Sequence, residues 1–122
     1  MRLKIDRIID HGALNSERVL LSVIDNIDLS HYIICDTTFA GHGKISNKLR
    51  HMHWFYTKEV KTGDKIELYT KTGHDSDLTM PNGKTKHIIY WNLNNSIWNN
   101  DGDLATLFEL NTWESFRVRD NE

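Results

Sequence analysis

Short runs of alternating hydrophobic and polar residues recur along the chain, and clusters of Gly, Asn, Asp and Ser separate them. Alternation with a period of two is typical of half-buried β-strands, and none of the runs has a convincing helical period. The pattern predicts strands at Leu3–Ile9, Glu17–Ile24, Tyr32–Phe39, Arg50–Tyr56, Lys65–Lys71, Lys86–Leu93, Leu104–Leu110 and Phe116–Arg119. Short strands in this number are typical of an all-β sandwich or barrel.

The segment Lys65–Lys71 alternates most clearly. A period of two places Ile66, Leu68 and Thr70 on one face of this strand and Tyr69, with the charged residues, on the other. We therefore expect one face of the strand to be buried and the other to face solvent.

Turn residues divide the chain at the same places. Lys61–Asp64 precedes a predicted strand, and Met80–Gly83 combines a proline, which presets φ, with a glycine where the turn closes. The longer polar stretches Ala40–Leu49 and Gly73–Thr85 are predicted to be surface loops.

The segment Ser96–Leu110 predicts a β-hairpin with a buried anchor, Trp98. Gly102 lies in the polar turn and can adopt positive φ without a clash from a Cβ atom. Asp103, beside it, is interpreted as a turn residue, because the spacing of nearby aspartates does not follow a calcium-binding loop. We assign Trp91, like Trp98, to the core.

Length and composition favour a single domain, residues 1–122, with 39% hydrophobic residues and a core that needs neither disulfides nor metals. The lone cysteine, Cys35, is expected to be buried and reduced. A net charge of −2 with interspersed signs disfavours nucleic-acid binding. We see no signal peptide or membrane-spanning segment, and the expected location is the cytoplasm.

Three pieces of the chain, Ile27–Asp36, Val60–Leu68 and Ile97–Leu107, together resemble the lamin-tail domain pattern. The resemblance implies an immunoglobulin-like β-sandwich that acts as a non-catalytic interaction module and uses no cofactor. It also implies that Trp98 plugs one end of the sandwich, that Gly102 turns the chain, and that Ala105 and Leu107 face the core.

Seven histidines in a chain of this size raise the possibility of a metal site. His51 and His53 would share a strand face, and His87, on another strand, could be a third ligand. The sequence contains no His-Glu-x-x-His or paired-cysteine motif, so we interpret these histidines as surface or structural residues. A small metal-dependent enzyme that uses them is one alternative function.

Aromatic residues are the remaining candidates for a binding surface. Trp54, Phe55 and Tyr56 are consecutive, so a strand must send Trp54 to one face and Phe55 to the other. Phe55, Tyr69 and Trp113 are candidate binding residues, although aromatic side chains in sandwiches are more often part of the core.

The sequence thus favours a non-catalytic binding or scaffolding module with a protein partner, and strand edges could support self-association into a homo-oligomer. The alternatives are the metal-dependent enzyme and a carbohydrate-binding module that uses Tyr69 and Trp113.

Overall fold

A computed structural model describes residues 1–39, 45–99 and 103–118. The strands are β1 (Leu3–Ile9), β2 (Arg18–Val23), β3 (Ile27–Asp28), β4 (Tyr32–Phe39), β5 (Ile45–Trp54), β6 (Glu59–Val60), β7 (Lys65–Tyr69), β8 (Ser76–Thr79), β9 (Thr85–Tyr90) and β10 (Asp103–Glu109). The described residues include a short 3₁₀ turn at Leu29–His31 and no helix with the length and apolar character needed to cross a membrane. The all-β prediction is confirmed.

The strands form several sheets. A five-stranded sheet has the order β1-β2-β7-β9-β8, a three-stranded sheet has the order β10-β4-β5, and β3 pairs with β6. The described pairings are antiparallel except that of β7 with β9, which run parallel. The chain therefore cannot join β7 to β9 by a tight hairpin, and the connection carries β8 to the sheet edge.

Hydrophobic side chains from the two larger sheets meet in one core. Its members include Leu3 of β1, Val19, Leu21 and Val23 of β2, Ile66 and Leu68 of β7, Ile89 of β9, and Tyr32 and Ile34 of β4. Ala105 and Leu107 of β10 are partly buried and pack against this cluster. The burial of these side chains is the main contribution to folding stability.

The period-two pattern of Lys65–Lys71 corresponds to the burial in the structure. Ile66, Leu68 and Thr70 are fully buried, whereas Tyr69 is only partly so. The glycines of the two predicted turns, at positions 63 and 83, have φ of +90° and +83°. Both conformations favour glycine, so these turns lie where the sequence places them.

Other predicted elements differ. Gly73–Thr85 contains β8 and the first residue of β9, and strand β5 begins at Ile45, inside the predicted loop Ala40–Leu49. The first five residues of that loop lie outside the described residues. No strand forms over 116–118, the described part of Phe116–Arg119. The sequence of β8 shows no alternation of hydrophobic and polar residues, because all of its residues are exposed.

The predicted hairpin at Ser96–Leu110 is wrong in its pairing. Residues 96–99 form no strand, and β10 pairs with β4 instead. Gly102 lies outside the described residues. Trp98 is 2% exposed, and the Asp103 carboxylate accepts a hydrogen bond of 2.9 Å from the Asn99 backbone N–H. Residues 96–99 thus form a loop that inserts Trp98 into the core.

A buried carboxylate, which the sequence analysis did not single out, holds this loop in place. Glu17, immediately before β2, is fully buried. Its side chain accepts hydrogen bonds from the Gly12 N–H (2.8 Å), the Thr70 hydroxyl (2.6 Å) and the Ile97 N–H (3.0 Å). Glu17 therefore joins the β1–β2 turn, the end of β7 and the loop that carries Trp98.

Candidate functional site

The outer face of the three-stranded sheet is largely apolar. Residues directly opposite each other in neighbouring strands share a face, and the register places Ile33 opposite Trp54 and Phe108. We call this surface the apolar face; it consists of Ile33, Cys35, Met52, Trp54, Thr106 and Phe108. Met52 and Trp54 are 48% and 42% exposed, so part of this face contacts solvent.

The outer face of the five-stranded sheet has the opposite character. Glu67 lies 3.6 Å from the Arg18 guanidinium and 3.9 Å from the Lys86 ammonium. Nearby, the Ser22 hydroxyl donates to Asp6 and accepts from Lys65. Interleaved charges of this kind suit a surface in permanent contact with water.

A groove of about 390 Å³ runs along the end of β5. We call it the aromatic groove; it is lined by Met52, His53, Trp54, Tyr56, Tyr90, Trp91, Asn92 and Leu93. One wall thus comes from β5 and the residues after it, and the other from the end of β9 and the residues that follow. Tyr56 is 83% exposed, whereas Trp91 is buried.

His53 lies in this groove with an unsatisfied ring nitrogen. Its Nε2 is buried and has no hydrogen-bond partner within residues 1–39, 45–99 and 103–118. The ring packs edge-on against Phe55, with centroids 4.8 Å apart, and lies 5.5 Å from the Trp91 ring. Burial lowers the pKa of His53 to about 4, against a small opposing effect of Asp75. The imidazole is therefore neutral at neutral pH.

The wall formed by Tyr90 is held from two sides. Tyr90 stacks on Tyr69 with an interplanar angle of 19°, and a Cβ atom at Gly73 would lie only 2.4 Å from the Tyr90 ring. Gly73 also donates its N–H to the side-chain oxygen of Asn92, which has a φ of 64°. Position 73 therefore has no room for a side chain while Tyr90 keeps this position.

The predicted binding residues have different positions in the structure. Tyr69 stacks behind Tyr90, and Trp113 packs edge-on against Trp54 with centroids 5.4 Å apart. Each therefore supports a wall of the aromatic groove from outside. Phe55, the third candidate binding residue, is 2% exposed and lies in the core. Its neighbour Trp54 takes the outward position of the strand.

The three candidate metal ligands lie in separate environments. His51 contacts the buried carboxylate of Asp36 at 3.2 Å, His53 lines the groove, and His87 is buried in the five-stranded sheet. In residues 1–39, 45–99 and 103–118, no three His, Cys, Asp or Glu side chains are placed to hold a metal ion. The structure thus does not bring His51, His53 and His87 together.

His87 instead links two carboxylates. Its Nε2 lies 2.9 Å from Asp64 and its Nδ1 lies 2.9 Å from Asp77, which also accepts from Lys58 at 2.9 Å. A carboxylate only accepts hydrogen bonds, so both contacts are satisfied when both ring nitrogens carry protons. Burial raises the pKa of Asp64, but hydrogen bonds, the strongest from His87, outweigh this effect and hold it below its usual value. This cluster ties β7, β8 and β9 together.

Comparison of the chain with protein-family models, curated proteins and solved structures finds no significant match in any of the three. The residues described above therefore carry the functional argument.

The pKa of His53 predicts a loss of stability in mild acid. The unfolded chain binds a proton at this histidine near pH 6.5, whereas the folded protein binds it only near pH 4, so protons favour the unfolded state between these values. We expect the free energy of unfolding to fall by roughly 3 kcal/mol as the pH is lowered through this window. Urea denaturation at a series of pH values measures this.

His53→Gln is the control for this titration, because glutamine does not ionise in the range. The pH dependence between 6.5 and 4 should be much weaker in this variant. An equally steep dependence in the variant would show that another group causes it.

Proposed function

We propose that this chain is a non-catalytic binding module that holds a protein partner on the apolar face of its three-stranded sheet. The supporting observation is the contrast between the two outer faces of the molecule. One carries interleaved, ion-paired charges such as Arg18 and Glu67, whereas the other presents Met52 and Trp54 to solvent. Exposed apolar patches mark interaction sites, and Trp and Met are enriched in protein interfaces.

The architecture we propose for this module is an immunoglobulin-like β-sandwich of the lamin-tail type. The shared core between the five-stranded and three-stranded sheets supports it, as does the burial of Trp98 before β10. The parallel pairing of β7 with β9 is an addition to the antiparallel pattern of such sandwiches.

Site-specific photo-crosslinking tests the proposed interface. A benzophenone amino acid at Met52 should give a discrete crosslinked product with a partner protein in cells that express the chain. Leu78 on β8 is the matched control, because it is also hydrophobic and is 53% exposed, compared with 48% for Met52. A benzophenone at Leu78 should give little or no product.

Equal crosslinking from both positions, or crosslinking from position 78 alone, would contradict the proposal. A product with twice the mass of the chain would identify a second copy as the partner. It would place the self-association on the apolar face.

A further inference from the structure

We infer that the aromatic groove is a second binding site, whose ligand is a neutral pyranose sugar. The groove borders the apolar face at Met52 and Trp54, but its remaining residues, His53, Tyr56 and the segment Tyr90–Leu93, lie outside that face. A sugar ring can thus be bound there without the protein partner proposed above.

The walls of the groove provide the apolar half of this recognition. Trp54, Tyr56, Tyr90 and Trp91 all line it. Pyranose rings carry C–H groups on their faces, and these pack on the electron-rich faces of aromatic side chains. A volume of about 390 Å³ lies within the range of small-molecule sites.

The polar groups of the groove provide the other half. His53 lines the groove, and its buried Nε2 has no hydrogen-bond partner among the described residues. The Asn92 side-chain nitrogen makes only a long contact of 3.5 Å with the Tyr90 carbonyl, although an amide has two N–H donors. Sugar hydroxyls both donate and accept hydrogen bonds, so they can pair with the side-chain amide of Asn92, which is exposed.

The lining of the groove carries no formally charged side chain, and the nearby Asp75 carboxylate, which accepts from the Tyr90 backbone N–H, would repel an anion. Asp, Glu, Lys and Arg are absent from the eight residues that line the groove, and the low pKa of His53 keeps this side chain uncharged at neutral pH. A sulfated sugar, a uronate or a phosphorylated ligand would lose hydration in the groove without gaining a counter-charge. A neutral sugar has no such cost.

The surrounding packing holds the walls in place before a ligand binds. Tyr69 stacks on Tyr90, and Trp113 packs against Trp54. The Trp54 indole N–H also donates to the Ser30 carbonyl at 2.7 Å. Aromatic side chains fixed in this way lose little conformational freedom on binding, which favours affinity.

Calorimetric titration of the purified chain with soluble oligosaccharides tests this inference. The neutral probes are cellotetraose, chitotetraose and mannotetraose, and the charged probe is trigalacturonate. We expect saturable binding of at least one neutral probe and no binding of trigalacturonate. Tryptophan fluorescence should change in the same titration, since two tryptophans line the groove.

Tyr56→Ala should lower the affinity for the bound sugar at least fivefold. The fold should be kept, because Tyr56 is 83% exposed. Phe116→Ala is the matched control: this aromatic residue is 65% exposed and lies outside the groove, so its loss should leave the affinity unchanged.

Three outcomes would overturn the inference: no binding of any neutral probe, equal binding of trigalacturonate, or a loss below fivefold in Tyr56→Ala. An equal loss in Phe116→Ala would do the same. Crosslinking from Met52 is an independent measurement made without added sugar, so failure of the sugar site and failure of the protein interface can be distinguished.

Discussion

Replacing Trp98 with alanine is expected to lower the free energy of unfolding by about 3 to 5 kcal/mol. The indole is 2% exposed and packs against Trp91 with ring centroids 6.1 Å apart. Its removal leaves a cavity that cannot easily collapse, because the backbone N–H groups of Ile97 and Asn99, on either side of it, donate hydrogen bonds to the Glu17 and Asp103 carboxylates. The midpoint of urea denaturation measures the loss.

Trp98→Phe is the matched variant for this prediction. Phenylalanine fills most of the space, and the indole N–H that it removes is buried and has no partner in the part of the chain that the structure describes. The expected cost is therefore smaller, about 1 to 2 kcal/mol. If Trp98→Ala does not fold at all, Trp98→Phe and Trp98→Leu should still form a graded series. An alanine variant with an unchanged midpoint would show that Trp98 is not part of the core.

The second large effect is expected for Glu17→Ala. The substitution leaves the buried Thr70 hydroxyl and the buried Ile97 N–H without their acceptor. Each unsatisfied buried donor costs about 1–3 kcal/mol, so the variant should lose roughly 2 to 6 kcal/mol of stability. Glu17→Gln should be intermediate, because it keeps only one of the two acceptor oxygens.

A double-mutant cycle with Thr70→Val separates the hydrogen bond from general damage. Valine removes the hydroxyl that donates to Glu17 at 2.6 Å, so the two substitutions should cost less together than the sum of their separate effects. Strict additivity, or a loss below about 1 kcal/mol in Glu17→Ala, would be inconsistent with the role we assign to Glu17.

Sequence patterns identified strands best where one face of the strand is buried and the other is exposed to solvent. Lys65–Lys71 is the clearest case, because three fully buried side chains alternate with partly or fully solvated ones. Strand β8 was missed, since every residue in Ser76–Thr79 is exposed and the strand takes its place in the sheet by pairing with β9. The period of a strand also does not specify which other strand it pairs with. The turn-rich segment after Trp98 therefore predicts a hairpin, although β10 pairs with β4.

The candidate site was only partly accessible from the sequence. The alternation at Trp54 and Phe55 was evident, but which of the two faces solvent depends on how the sheets pack. Trp54 and Tyr56, from the aromatic run at 54–56, line one wall of the groove, and Tyr90 and Trp91 line the other. The strands that carry Trp54 and Tyr90 belong to different sheets. These two runs of adjacent aromatics were the available signal. Glu17 gave no such signal, since two of its three hydrogen-bond partners, Thr70 and Ile97, lie 53 and 80 positions away in the sequence.

The pairing of β10 with β4 determines the order in which this chain can fold during synthesis. The Thr37 and Thr106 hydroxyls, which contact each other across these strands, are 69 positions apart. Until the ribosome has released β10, the nascent chain holds β4 with one edge unpaired. Contacts so distant in sequence form slowly, and open strand edges favour aggregation. The three-stranded sheet is thus completed late, and chaperones that bind nascent chains would act before β10 emerges.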